Sequence, residues 1–242
     1  MPSLPTDAEL AVLNSRFESA HPEEIIRWAV ETFRPDVALT SSFGADSAAI
    51  IHLALHVDPR INIRTVDTGF LFPETLQFIE ELRQRWNLNL TVLRTRLPVA
   101  EVERLKAAYA GGAPVDEQYC CGEYKREATE RALQGVRCWI AGLMRVEAAT
   151  RRHTPIIERL ANGMVKVAPI AAWTHQQLRD YMQQHQLPYH PLWQQGYTSI
   201  GCALHTQKPT NPNDPRSGRW AGTDKTECGI HDIGKPTPPP TP

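Results

Sequence analysis

The chain has 242 residues, enough for one α/β domain or two small ones with an ample core. Its hydrophobic content of 41% and charged content of 22% are those of a globular protein, and a net charge of -1 argues against bulk electrostatic binding to nucleic acid or membrane. An anionic small molecule is not excluded, because it needs only a local cluster of cations.

Helical and strand patterns alternate along the chain. Residues 8–20 and 23–33 read as amphipathic helices, the second opened by Pro22, and residues 37–40 as a buried strand. A helix over 46–56, a strand over 61–66, a helix over 73–86 and a strand over 90–94 follow. Residues 101–110 predict a helix ended by Gly111-Gly112, and residues 120–133 another. Strands over 138–141 and 165–168 and a helix over 174–185 complete the pattern. Strands spaced by helices predict an α/β fold, a mostly parallel open sheet with helices on both faces. Beyond His185 the periodicity stops and Gly, Pro, Asn and Thr dominate. The expected organisation is one α/β domain over residues 1–200 and a functional C-terminal tail over 201–242, with 235–242 disordered. No window approaches a membrane span, and Met1-Pro2-Ser3-Leu4-Pro5 lacks the features of a signal peptide, so a cytoplasmic protein is expected. Five cysteines, an odd number without an export signal, favour metal or redox roles over a disulfide framework.

Three segments carry chemistry. Thr40-Ser41-Ser42-Phe43-Gly44-Ala45-Asp46-Ser47 is a Ser/Gly-rich turn opening a helix, which offers backbone N–H groups and a positive dipole end to an anion. An ordinary βα turn capped by Asp46 or Ser47 is the plainer alternative. Val66-Asp67-Thr68-Gly69-Phe70-Leu71-Phe72-Pro73-Glu74-Thr75 is a well-made strand-to-helix connection. Glu227-Cys228-Gly229-Ile230-His231 places a cysteine far from any core-forming element. Arg216, Arg219, Lys225 and His231 nearby would lower its pKa. An incidental exposed cysteine is the bland alternative.

The first loop resembles the PP-loop of adenine-nucleotide α-hydrolases, with Phe43 at the position of the first glycine. A large side chain there is expected to hinder approach to a triphosphate and to favour a smaller anion such as a sulfate group. With Tyr189-His190-Pro191-Leu192-Trp193, Gly196-Tyr197-Thr198-Ser199-Ile200-Gly201 and Asp214-Pro215-Arg216-Ser217-Gly218-Arg219-Trp220, the three segments look like the assimilatory adenylyl-sulfate and 3′-phosphoadenylyl-sulfate reductases. The resemblance runs from about Val37 to His231. It implies thioredoxin- or glutaredoxin-dependent reduction of activated sulfate to sulfite, for cysteine biosynthesis, with Cys228 as nucleophile and an S-sulfocysteine intermediate. By the same resemblance Ser42, Phe43, Gly44, Ser47, Asp67, Thr68, Gly69, Lys125, Arg145, Arg151, Arg216, Arg219 and His231 bind the nucleotide sulfate. Lys125 would lie near the sulfate and the metal site, and Arg216 and Arg219 would clamp phosphate or sulfate, as Arg suits oxyanions. Solvated charge is the alternative for all three. A homo-oligomer stays open.

The same resemblance makes Cys120, Cys121, Cys202 and His205 ligands of a [4Fe–4S] cluster, with His205 where the adenylyl-sulfate type has its fourth cysteine. Structural zinc on these residues and a clusterless chain of the phosphorylated-substrate type remain alternatives. Three cysteines in register favour the cluster. Cys138 reads as core. Met144 and Glu147 replace an arginine and a glutamine of the family pattern, which weakens the case for a 3′-phosphate. An ATP-using PP-loop adenylating enzyme and a non-catalytic metal–sulfur redox module are the rival readings.

Overall fold

The computed structural model describes residues 4–113, 115, 124–211, 214–221, 223 and 225–234. The strands are β1 (Val37–Thr40), β2 (Asn62–Asp67), β3 (Leu90–Arg94), β4 (Cys138–Ala141), β5 (Ile157–Arg159) and β6 (Val165–Val167). They form one sheet in the order β3-β2-β1-β4-β6-β5, in which only the β5–β6 pair is antiparallel. The chain leaves β1 through β2 and β3 on one side and returns through β4 on the other. The β1–β4 boundary is therefore a topological switch point, where loops at the strand C-termini part to leave a crevice.

The helices are α1 (Asp7–Phe17), α2 (Pro22–Phe33), α3 (Ala48–Val57), α4 (Pro73–Trp86), α5 (Val99–Ala110), α6 (Glu127–Ala132) and α7 (His175–Gln184). Local chemistry sets their ends. Thr6 and Glu9 form a capping box on α1, and Thr174 and Gln177 one on α7. Proline opens α2 and α4, where its missing N–H costs nothing. Asn87 ends α4 in the left-handed conformation (φ 47°). The central strands are buried along their length, with Leu39, Ile63, Trp139 and Val165 fully inaccessible. Cys138 lies in this core, where burial pushes its thiol pKa up and leaves it inert.

The predicted α/β architecture is the one observed, and β1, α4, β3 and β4 have the expected bounds. Two elements differ. The helix expected over 120–133 is regular only as α6, after a wider turn over 124–126, and residues 120–123 lie outside the described residues. Strand β5 was not anticipated. It turns back from β6 through Asn162-Gly163, with Gly163 at φ 83° and the Asn162 side chain accepting from Met164 N at 3.1 Å. Asn-Gly between apolar residues is a hairpin signal, but a strand of three residues is too short to show alternation in the sequence.

The tail is folded against the domain. Ala203 N donates to Phe70 O at 2.8 Å, and Trp220 N to His205 O at 3.1 Å. Ile233 is buried in the main core, and Gly234 O accepts from Ala161 N at 2.7 Å. Residues 235–242 lie outside the described residues.

Candidate active site at the sheet switch point

Two adjoining cavities, of about 330 and 120 Å³, open at the β1–β4 boundary and share walls at Ser42, Asp46, Ser47, Lys125, Glu147 and His231. The first loop enters from β1. Ser41 Oγ accepts from Phe43 N at 3.1 Å and holds Phe43 in the left-handed conformation (φ 49°). The Phe43 side chain is fully buried in the core. The expectation that it would face the anion is thus corrected: its ring leaves the front of the loop to Ser42, Gly44 and Ser47, which line the larger cavity. Ser47 is the N-cap of α3 and makes no side-chain cap hydrogen bond, so the start of the helix meets the cavity uncapped.

His190 fixes this loop to the next. His190 N donates to Ala45 O at 3.1 Å, and its Nδ1 accepts from Leu192 N at 3.1 Å. Its Nε2 meets Thr75 Oγ1 on α4 at 2.9 Å. Burial pushes its pKa down to about 4, so the ring is neutral and structural. In the 67–75 connection, Asp67 Oδ1 accepts from Gly69 N at 2.8 Å, and a Cβ on Gly69 (φ 80°) would come within 2.8 Å of Val102 Cγ1. Asp67 and Gly69 therefore build the turn and line neither cavity; only Thr68 of the three lines the smaller one.

The cations divide. Lys125, Arg151, Arg216 and Arg219 line the larger cavity. Arg145 does not: its Nη1 and Nη2 grip Glu18 at 2.7 Å each, and its Nε donates to Thr154 O. This corrects its expected substrate contact. Arg219 lies over the Trp220 ring at 4.5 Å. A Cβ on Gly201 would meet its guanidinium at 2.3 Å, so a side chain there would displace Arg219. Its Nε is buried with no hydrogen-bond partner among the described residues. Burial pushes the Arg219 pKa down, an expense that a bound anion would offset.

Cys228 is a half-buried free thiol on the wall of the same cavity. His231 follows it, stacked on Trp139 at 5.8 Å, with Nδ1 buried and unpartnered among the described residues. Burial, then the charges of Lys166, Arg151, Lys125 and Arg216, hold its pKa well below the ordinary value. It is a neutral ring and adds no positive charge beside the thiol, contrary to expectation.

Three residues with no assigned role complete the site. Asp46 has its carboxyl pushed up to about 7 by burial and then by the Glu147 charge. Glu147 and Glu227 both pair with Arg151. The sequence signal for Glu227 was its place directly before the thiol among arginines.

Of the expected metal ligands, Cys120 and Cys121 lie outside the described residues. Cys202 and His205 are buried at the two ends of one short turn. Cys202 Sγ lies 3.6 Å from Thr68 Oγ1. Cys202 shares an apolar cluster with Phe70 and with Tyr124, three residues after Cys121. Among the described residues no three His, Cys, Asp or Glu side chains are grouped to hold a metal. The two described donors fit half of such a site.

Residues 36–208 match the family model of the phosphoadenosine phosphosulfate reductase domain. The chain is 39% identical over 235 residues to a phosphoadenosine 5′-phosphosulfate reductase of Xylella fastidiosa (strain M23), covering 96% of this chain and 98% of that one. It is 34% identical to an adenosine 5′-phosphosulfate reductase of Rhodococcus opacus (strain B4), covering 93% and 96%. A phosphoadenylyl-sulfate reductase structure from Candida auris, a phosphate complex, superposes with a TM-score of 0.72 at 22% identity, over 86% of this chain and all of that one.

Proposed function

This chain belongs to the phosphoadenosine phosphosulfate reductase family, and from that premise we propose that it reduces an adenylyl sulfate to sulfite, with Cys228 as the nucleophile. One observation carries the reading: a single cavity at the switch point gathers the thiol, the start of α3 and five cations, Lys125, Arg151, Arg179, Arg216 and Arg219.

The Cys228 thiolate attacks the sulfur of the substrate. An S–S bond forms, the sulfur–oxygen bond to the phosphate breaks, and the nucleotide leaves with the electron pair. Lys125, Arg216 and Arg219 balance the charge on that leaving oxygen. Cys228 then carries a sulfonate. A dithiol reductant of the thioredoxin type attacks Cys228 Sγ, expels sulfite, and closes to its own disulfide on releasing the enzyme thiol. Two electrons pass from dithiol to sulfur.

We infer a preference for the substrate without a 3′-phosphate. Asp46 and Glu147 bring carboxyl groups to the cavity wall, and Arg145 is consumed by Glu18. Relatives named for either substrate match at similar identity. Sulfite release from adenylyl sulfate should exceed that from its 3′-phosphorylated form, and Cys228→Ser should abolish both while nucleotide affinity stays within about threefold. Near-normal turnover of Cys228→Ser would remove the mechanism.

Cys120, Cys121, Cys202 and His205 are proposed to hold a [4Fe–4S] cluster, supported by the buried Cys202–His205 turn and by Tyr124 packing beside Cys202. When bound, the group supplies a fixed charge and a rigid tie between its ligand segments. Anaerobically purified protein should contain about four irons per chain, and His205→Ala should lose them. An iron-free, active wild type would sink the cluster.

A further inference from the structure

Glu227 directly precedes Cys228. Its carboxylate accepts from Arg151 Nε at 2.7 Å and Arg151 Nη2 at 2.9 Å, a bidentate fork. Arg216 Nη2 adds a contact at 3.2 Å, and Thr150 Oγ1 one at 3.3 Å. The same Arg216 nitrogen donates to Thr226 O at 3.1 Å, so the tail backbone just before Glu227 is gripped as well. On its other side Arg151 is held by Glu147, whose Oε2 also accepts from Met144 N at 3.4 Å. An alternating chain, Glu147–Arg151–Glu227–Arg216, thus runs from the loop after β4 into the tail.

These groups are not a solvated surface pair. The Arg151, Arg216 and Glu227 side chains are 12%, 17% and 21% exposed. Burial alone would raise the Glu227 pKa; hydrogen bonds from Arg151 and the charges of Arg151 and Arg216 outweigh it and hold the carboxyl below its ordinary value. Glu227 is an anion in a cavity built for anions, so direct contact with an anionic substrate is unfavourable. Its neighbour in sequence is the thiol.

We propose that Glu227 is a positioning residue: by docking on Arg151 it fixes the tail backbone so that Cys228 Sγ faces the cavity. This rests on Cys228 being the nucleophile. It also reassigns Arg151 from the substrate to the tail, leaving Lys125 and Arg219 for the ligand, with Arg216 shared between tail and ligand. Positioning of this kind acts on the chemical step, since small displacements of a nucleophile lower its rate far more than they alter binding.

Glu227→Gln keeps the shape and removes the charge. Its kcat for sulfite release should fall about tenfold or more, with AMP affinity within about threefold. The limiting alkylation rate of Cys228 by iodoacetamide at high pH, where the thiol is fully ionised, should rise several-fold as the thiol leaves the cavity. Arg151→Lys, which cannot fork, should behave alike. The double variant should lose no more than either single one, and Glu227→Asp should recover part of kcat. The proposal is overturned if Glu227→Gln and Arg151→Lys keep kcat and alkylation within about twofold of wild type. It is equally overturned if kcat falls with alkylation unchanged, or if AMP affinity falls in step with kcat. The alkylation arm needs no turnover, so an active Cys228→Ser enzyme would refute the nucleophile while the docking of Glu227 is still read separately.

Discussion

Asp46 titrates near neutrality because burial and the Glu147 charge both disfavour its anion. The cavity therefore sheds a negative charge as pH falls through about 7. AMP binding should strengthen from pH 8 to pH 6 by about threefold in wild type relative to Asp46→Asn, a difference that cancels titration of the phosphate itself. The stability effect has the same sign. The folded carboxyl binds its proton more tightly than the unfolded one, so its contribution declines as pH rises from about 4 to 7. Asp46→Asn should then melt higher than wild type at pH 8. An equal melting temperature and parallel binding curves would show that Asp46 stays ionised. His190 works in the opposite direction: its folded pKa of about 4 lies below the unfolded value, so its contribution is present above about pH 6.5 and is lost as pH falls toward 4.

At the scale of the element, the loop between β1 and α3 shows what a sequence can and cannot disclose. Its position was legible, because a short apolar run followed by Ser and Gly must turn at the end of a buried strand. The direction of Phe43 was not, since it depends on a left-handed backbone held by Ser41 Oγ and on a core space supplied by other elements. Phe43→Ala should cost about 3–5 kcal/mol in chemical denaturation, as for a core aromatic. A loss below about 1 kcal/mol would return the ring to the cavity front. Arg145 and Arg151 pose the same problem. Both occupy matching positions in the sequence pattern, yet Glu18 on one side and Glu227 on the other decide their partners, and both partners are distant in sequence. Asp67 and Gly69 belonged to a legible turn; that they face the turn follows from the Gly69 N–Asp67 Oδ1 bond and from Val102 crowding Gly69.

For the whole molecule, the placing of the site follows from topology. Strand alternation predicted a parallel sheet, the sheet has one switch point, and both cavities lie there. The tail then supplies the remaining wall. Its hold beyond the thiol comes from Ile233 in the core, from Gly234 O, and from Lys166 Nζ, which donates to His231 O at 3.0 Å and lies over the Trp139 ring. Ile233→Asp should release this end, lowering sulfite formation about tenfold and lowering the melting temperature as loss of a core residue requires. Unchanged turnover would mean that the thiol needs no anchor on this side. Among the described residues Cys228 is carried on an arch with two feet, one where Trp220 meets His205 and the other at Ile233. On the proposed function, this arch offers Cys228 to a dithiol reductant at the rim of the cleft, and the fit between two protein surfaces takes the place of a tether's reach.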